Sequence, residues 1–266
     1  MIARLISANS SELLKMNGNE LKQSIKASEG RTVLSENVVI QPAIDGLTMS
    51  EIAAAFGADL ILLNLFDVFE PKVSGLEVKD AKDTVKRLKE LTGRPIGVNL
   101  EPVDPDVKME STKFELPKGR IATAESMRRA EELGFNCYPG SGVTNKMIVQ
   151  AVRTAKENFS GMIIAGKMHG DGVDEPVADE ESVKAMIDAG ADVILVPAVG
   201  TVPGFTSDEL IKIVKIVHQH DTIGTSQESS GKDVIREIAL KNKMSISNIS
   251  GTPHGACCLQ QRLSLN

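Results

Sequence analysis

Lys167, His169 and Asp171 lie within one five-residue stretch, directly after the apolar run Met162-Ile163-Ile164-Ala165. A run of that kind fills a strand buried on both faces. An ammonium, an imidazole and a carboxylate at the end of such a strand are costly to leave unpaired, so each needs a partner or a ligand. Two chemistries suit Lys167. A buried amine with a lowered pKa can form a Schiff base or abstract a proton, and a permanent ammonium paired with Glu101 or Glu228 can bind an anion as a point charge. His169 titrates near neutrality and suits an acid, a base or a metal ligand. The bland alternative is that Lys167 merely pairs with a neighbouring carboxylate and His169 hydrogen-bonds a loop. His218 and His220, at the end of an amphipathic helix, read as solvated caps.

An alternation of short apolar runs and helical patterns positions these groups. Strands are predicted over Val38–Ile44, Leu60–Leu65, Pro95–Leu100, Phe135–Tyr138, the stretch opening with the apolar run Met162–Ala165, Asp192–Pro197, Thr222–Thr225 and Ser245–Ile249. Helices are predicted over Met49–Phe56, Lys79–Leu91, Ala122–Leu133, Asn145–Asn158, Glu180–Ala189, Ser207–His220 and Ser230–Lys243. The junctions Gly57-Ala58-Asp59 and Gly190-Ala191-Asp192 are near-copies, and Gly134-Phe135-Asn136 is a looser version. In each, glycine takes the left-handed position that ends a helix, and a strand begins within two residues. The fold class is therefore α/β, a single (β/α)8 TIM barrel with an N-terminal helical extension. The extension covers residues 1–36, with Ser10 or Ser11 as a cap, the strand-helix units cover 37–255, and 256–266 is a C-terminal tail. A doubly wound open sheet is the competing fold, but Gln41-Pro42-Ala43-Ile44-Asp45-Gly46 lacks its G-x-G-x-x-G loop.

In a barrel of this kind the C-terminal strand ends form one mouth. That mouth gathers Gln41, Asp45, Asn64, Asp67, Asn99, Glu101, Cys137 and Tyr138. It continues with Lys167, His169, Asp171, Thr201, Gln227, Glu228, Asn248, Ser250 and His254. Lys167, His169, Glu101 and Asp67 are the catalytic candidates. Gln41, Asp45, Asn64, Asn99, Gln227 and Asn248 are the substrate-binding candidates. Glu101 and Glu228, with Asp67, His169 or Asp45 as further donors, suit Mg²⁺ or Mn²⁺; no nucleotide or organic cofactor is indicated. Two loops suit phosphate: Ser229, Ser230 and Gly231 before a helix, and Gly251 and Thr252 after the last strand. An ordinary helix cap explains the first loop equally well. The glycine-rich loop Val199–Phe205 reads as a mobile lid or a rigid connector.

Composition bounds the partners. At 266 residues the chain suits one barrel of about 250 residues. A formal charge of −6, no Trp and the single Tyr138 argue against nucleic acid. No apolar run reaches the ~20 residues of a membrane span, and Met1-Ile2-Ala3-Arg4 leads into polar sequence rather than a signal peptide. A soluble cytoplasmic protein, with reduced cysteines and a small anionic metabolite as ligand, is the expectation. A homo-oligomer whose neighbour covers the tail is expected as well.

The order of elements from Glu20 to Asn64 is a leading helix, a strand ending in Pro42-Ala43-Ile44-Asp45, the small-residue helix Ile52–Ala58 and a strand. It resembles the opening of the phosphoenolpyruvate mutase and isocitrate lyase superfamily. That resemblance implies a Mg²⁺-dependent barrel acting on carbon–carbon or carbon–phosphorus bonds of α-oxo acids. The chain has Asn99-Leu100-Glu101 where the superfamily has a paired-aspartate D-x-D, and it lacks a K-x-x-C gating loop after the fourth strand; no catalytic residue is carried over. The functional expectation is a lyase, aldolase, mutase or isomerase of a small, phosphorylated sugar or oxo acid. The alternative is a metabolite-binding regulatory protein on the same scaffold.

Overall fold

The computed structural model describes residues 3–103, 116–140, 142, 144–167, 175–199, 202, 205–228 and 257–262, without the side chains of residues 139, 225–228 and 257–262. Two helices, α1 (Ser10–Leu13) and α2 (Gly18–Ala27), precede the repeat. The alternation then runs β1 (Val33–Val38), α3 (Met49–Ala55), β2 (Leu60–Asn64), α4 (Thr84–Thr92), β3 (Ile96–Val98), α5 (Ala124–Leu133) and β4 (Cys137–Gly140). It continues with α6 (Asn145–Asn158), β5 (Met162–Gly166), α7 (Glu180–Ala189), β6 (Val193–Pro197), α8 (Ser207–Gln219) and β7 (Ile223–Glu228). Strands β1 to β7 pair in parallel with their neighbours in chain order and form a curled seven-stranded sheet.

Both faces of the sheet are buried. Leu34, Leu60, Leu62, Cys137, Met162, Ile164, Val193, Leu195 and Ile223 fill the inside of the curl. Ile61, Leu63, Ile96, Val98, Ile163, Ala165, Ile194 and Val196 alternate with them and face the helices. That is why the strands read as unbroken apolar runs, and each such side chain contributes about 1.5–3 kcal/mol by leaving water. The N-terminal extension belongs to the inner layer, since Leu5, Leu13, Leu21 and Ile25 join that cluster. Helix α2 comes so close to the start of β5 that a Cβ on Gly18 would lie 2.5 Å from the Gly161 carbonyl carbon. The expected caps Ser10 and Ser11 are replaced by Asn9 and Asn17, whose backbone N–H groups donate to Glu12 and Glu20.

The repeated junctions have a common chemistry. Gly57, Gly134 and Gly190 stand at φ +98°, +84° and +112°, as the expected helix stops require. The polar residue two positions later latches the strand before it. Asp59 accepts from the Val33 N–H at 2.8 Å, Asn136 from Ile96 at 3.1 Å and Asp192 from Ile163 at 3.1 Å. The same three residues donate their own N–H groups to the carbonyls of Val33, Ile96 and Ile163. Burial of the Asp59 latch raises its pKa, against the Val33 N–H and the Arg94 charge.

The expected elements and the observed ones differ most at the two ends of the repeat. The first strand is Val33–Val38, not Val38–Ile44, because Leu34 to Val38 take the register against Leu60 to Asn64. The apolar Ile40 and Ile44 are exposed in the loop that follows. The expected strand over Ser245–Ile249 and helix over Ser230–Lys243 lie outside the described residues. A strand β8 (Cys257–Arg262) occurs in the stretch read as a tail. His218 is half-buried rather than a solvated cap, and burial, with Lys26 nearby, lowers its pKa. Among the described residues no helix is long and apolar enough to cross a membrane.

Candidate functional site

Because the strands are parallel and in chain order, their C-terminal ends share one rim. Lys167 stands there, one residue past β5. The residue is 1% exposed, its Nζ makes no hydrogen bond among the described residues, and it forms an ion pair with Glu175, whose Oε2 is 3.8 Å away. That separation is an ion pair without a hydrogen bond. Glu175 Oε2 itself accepts from the backbone N–H of Asn145 at 2.9 Å, at the start of α6. Crowding on the sheet side holds the lysine in place: a Cβ on Gly166 would lie 1.9 Å from the Leu195 carbonyl oxygen. Only glycine lets β5 and β6 approach this closely just before Lys167.

A second polar group occupies the ends of β1 to β3. Glu36 is 6% exposed and Asn64 9%, and the Asn64 Nδ2 donates to Glu36 Oε1 at 2.6 Å. The Asn64 Oδ1 accepts from the Leu65 N–H at 2.8 Å, so both ends of this amide are committed. Leu65 holds φ +63°, a left-handed conformation that costs a branched L-residue about 1–2 kcal/mol and that recurs where backbones are shaped for function. One residue past β3, Asn99 continues the alternation from the inward Gly97, whose added Cβ would meet Cys137 Sγ and Leu62. Its Oδ1 is buried and has no hydrogen-bond partner among the described residues. Glu36, Asn64 and Asn99 thus form a polar layer above the apolar interior.

The remaining expected residues fall into three groups. Asp67 is tied into its own loop, its Oδ1 accepting from Phe69 N–H at 2.8 Å and Glu70 N–H at 3.1 Å. Glu101 pairs with Arg120 at 3.4 Å, and its backbone bonds the returning chain at Arg120 and Ala122. Gln41 and Asp45 are exposed in the turn after β1. The structure therefore brings neither Asp67 nor Glu101 to Lys167 among the described contacts. Cys137 opens β4 and lies deep in the interior, and Tyr138 points to the helix layer. Both were expected at the mouth, but β4 begins two residues later than the apolar pattern implies. Burial pushes the Cys137 thiol up to about 12 and raises the Tyr138 phenol as well. Gln227 and Glu228 occupy the last two backbone positions of β7, with side chains outside the description. His169, Asp171, Thr201, Ser229, Ser230, Gly231, Asn248, Ser250, Gly251, Thr252 and His254 lie outside the described residues, as do Gly200, Pro203 and Gly204 of the lid loop.

Glu36 and Glu175 are the functional candidates that sequence reasoning passes over. Glu36 sits in Ser35-Glu36-Asn37, a polar triplet that looks like loop and is in fact the buried end of a strand. A signal for it exists in hindsight of the register: Leu34 and Glu36 alternate inward, as Leu60, Leu62 and Asn64 do. Glu175 lies eight residues after Lys167 in the chain, and nothing local marks it. Among the described residues no three His, Cys, Asp or Glu side chains come together to hold a metal ion. Of the expected oxygen donors, Asp67 is committed to backbone amides and Glu101 to Arg120, while the side chains of His169 and Glu228 lie outside the description.

The chain matches, over residues 6–251, the family described as domain of unknown function (DUF7916). It belongs to that family. No curated protein matches the sequence. Among solved structures, a putative fructose-1,6-biphosphate aldolase from Coccidioides immitis aligns with a TM-score of 0.51 at 13% identity, over 96% of this chain and 82% of that one. 2,3-Dimethylmalate lyase, a PEP mutase/isocitrate lyase superfamily member, aligns with a TM-score of 0.50 at 13% identity, over 95% and 80%. The carboxyl transferase domain of Rhizobium etli pyruvate carboxylase reaches 0.58 at 8% identity, over 96% of this chain but 44% of that one. At these identities the likeness of this DUF7916 member is one of fold. It extends the resemblance seen from Glu20 to Asn64 to the whole α/β architecture.

Proposed function

We propose that this chain is a barrel enzyme of the lyase, aldolase, mutase or isomerase type, acting on a small anionic oxo acid or sugar phosphate at the C-terminal rim. The observation that carries the reading is Lys167, a fully buried amine with no hydrogen bond among the described residues. A structural lysine would be expected to spend its three donors on neighbours; this one keeps them for a ligand. Closure of the sheet into an eight-stranded barrel is part of the proposal. It is supported by β8, whose residues 257–261 run parallel to 224–228 and whose residues 259–262 run parallel to 33–36. The aldolase and lyase names of similarly folded proteins support the reaction type.

In this mechanism Lys167 donates to the carbonyl oxygen of the substrate. An aldol-type cleavage sends the electron pair of the carbon–carbon bond into an enolate while the other fragment becomes a new carbonyl and its hydroxyl proton passes to water, and a preplaced cation stabilises the developing enolate charge. Glu36 holds the Asn64 amide in one orientation, which makes the pair a fixed edge for substrate hydroxyl or carbonyl groups, and the Asn99 Oδ1 is an acceptor awaiting a donor. The test is a thermal-shift screen with oxo acids, sugar phosphates and inorganic phosphate, with and without Mg²⁺ or Mn²⁺, followed by assays of the stabilising compounds on Lys167→Met. Loss of turnover by Lys167→Met is the expected result. Equal turnover by Lys167→Met would overturn the proposal, and a ligand bound through Lys167 but never converted would establish the sensor reading instead.

A further inference from the structure

Helices α3, α5, α7 and α8 begin with reciprocal caps made inside their own first turn, such as Thr48 with Glu51 and Thr206 with Glu209. Helix α6 is built differently. Thr144 accepts from the Met147 N–H at 3.2 Å, while Met147 has no group to return the bond. The first amide of α6, at Asn145, is instead taken by Glu175, thirty residues on. A 14-residue helix directs a partial positive charge at that carboxylate. The Lys167 Nζ stands 3.8 Å from the same oxygen, with a side chain wholly out of solvent and no hydrogen bond among the described residues. One carboxylate thus sits between a helix N-terminus and a buried ammonium, and it satisfies only the first.

We propose that Lys167 and the first turn of α6 form the seat for a substrate carboxylate, and that Glu175 is the internal occupant which that carboxylate displaces. The inference rests on the Lys167 reading above and deepens it, because it names the substrate class as a small carboxylic acid, with an α-oxo acid the best fit. In such an acid the carboxylate and the carbonyl oxygen are adjacent, so one ammonium with three donors can serve both. Glu175 is suited to leave. Its side chain is 36% exposed against 0% for Lys167, so it moves into water at little cost, and Lys167 gains the direct hydrogen bond that the 3.8 Å separation denies it. The seat lies between β4 and β5, apart from the loops after the seventh and eighth strands that were read as phosphate cradles.

The probes are pyruvate and acetate, with inorganic phosphate for comparison, titrated by calorimetry into the full chain and its variants. Glu175→Gln removes the competing charge and is expected to tighten pyruvate binding about tenfold, as for any site freed from an internal competitor. Asn145→Pro deletes the amide donor, and proline is well tolerated at the first helical position; Thr144 already has the extended backbone, φ −115° and ψ 151°, that a following proline needs. Pyruvate is expected to bind Asn145→Pro at least fivefold more weakly than Asn145→Ala, which keeps the amide. Lys167→Met is expected to abolish binding. If Lys167→Met loses pyruvate while Glu175→Gln and Asn145→Pro leave its affinity unchanged, the seat is refuted and the Lys167 proposal stands. If Lys167→Met binds pyruvate like the parent, both fall. Binding of phosphate alone, with neither pyruvate nor acetate retained, also refutes the seat. Should Lys167→Met fail to fold, the contrast between Glu175→Gln and Asn145→Pro decides the question.

Discussion

Replacing Lys167 with methionine should make this protein more stable. Methionine matches the lysine stem in length and fills the same buried space. What is removed is an ammonium that has no hydrogen bond among the described residues and is out of solvent; a buried polar group left unsatisfied costs about 1–3 kcal/mol. What is lost in return is one ion pair at 3.8 Å to a carboxylate about a third exposed, a pair of the kind worth up to about 1 kcal/mol. Glu175 keeps the Asn145 N–H and its contact with water, so it is not stranded. The balance is a gain of about 1–2 kcal/mol, and a domain of this size moves roughly 2–4 °C per kcal/mol. Urea unfolding and calorimetry of parent and variant should therefore show a rise of about 2–8 °C together with loss of the ligand. A fall of ~1 kcal/mol or more would refute the reasoning, since it would mean that Lys167 is held for packing or by a structural partner. A stability gain on loss of function is the usual mark of a residue kept for its chemistry.

Other outcomes follow from the same geometry. Gly166→Ala places a Cβ 1.9 Å from the Leu195 carbonyl oxygen and should cost about 3 kcal/mol or more by forcing β5 and β6 apart; a urea midpoint within error of the parent would contradict the register. Gly134→Ala has open space around its Cβ but keeps φ +84°, so its loss should be the left-handed penalty alone, about 1–2 kcal/mol, measured by the same unfolding assay. Lys89 donates to the Gly134 carbonyl, and burial, against the opposing pull of Cys137, lowers its pKa from the usual 10.5 to about 8. Between pH 8 and 10.5 the unfolded chain therefore binds the extra proton, and stability should gain a rising contribution with pH across that window. Lys89→Met should flatten this slope in a pH series of thermal midpoints, and an unaltered slope would show the side chain to be solvated.

Much of the frame was legible in the sequence. The glycine-to-aspartate junctions announced helix stops and strand starts, because a left-handed residue and a short apolar run are local demands that few residue types meet. The boundaries of α6 and α7 were likewise readable from helical spacing, and Lys167 stood out because a charge beside a fully buried strand is physically expensive wherever the strand lies. Ser35-Glu36-Asn37 was not legible. Its burial is decided by pairing with β2, twenty-six residues away between Leu34 and Leu60, and a polar strand end looks like a loop until its neighbour is known. The mouth residues divided for the same reason. Asn64 and Asn99 were recognisable as strand ends, whereas Asp67 and Glu101 were claimed by local amides and by Arg120, a choice of partner that spacing does not contain. Glu175 marks the limit most clearly: only when the chain folds does its carboxylate reach both the first amide of α6 and the neighbourhood of Lys167. Sequence determined where the chain must turn and which side chains are costly to bury, since those are properties of single residues and short periods. Tertiary structure alone decided which costly groups meet, because that depends on strand register and on contacts across tens of residues.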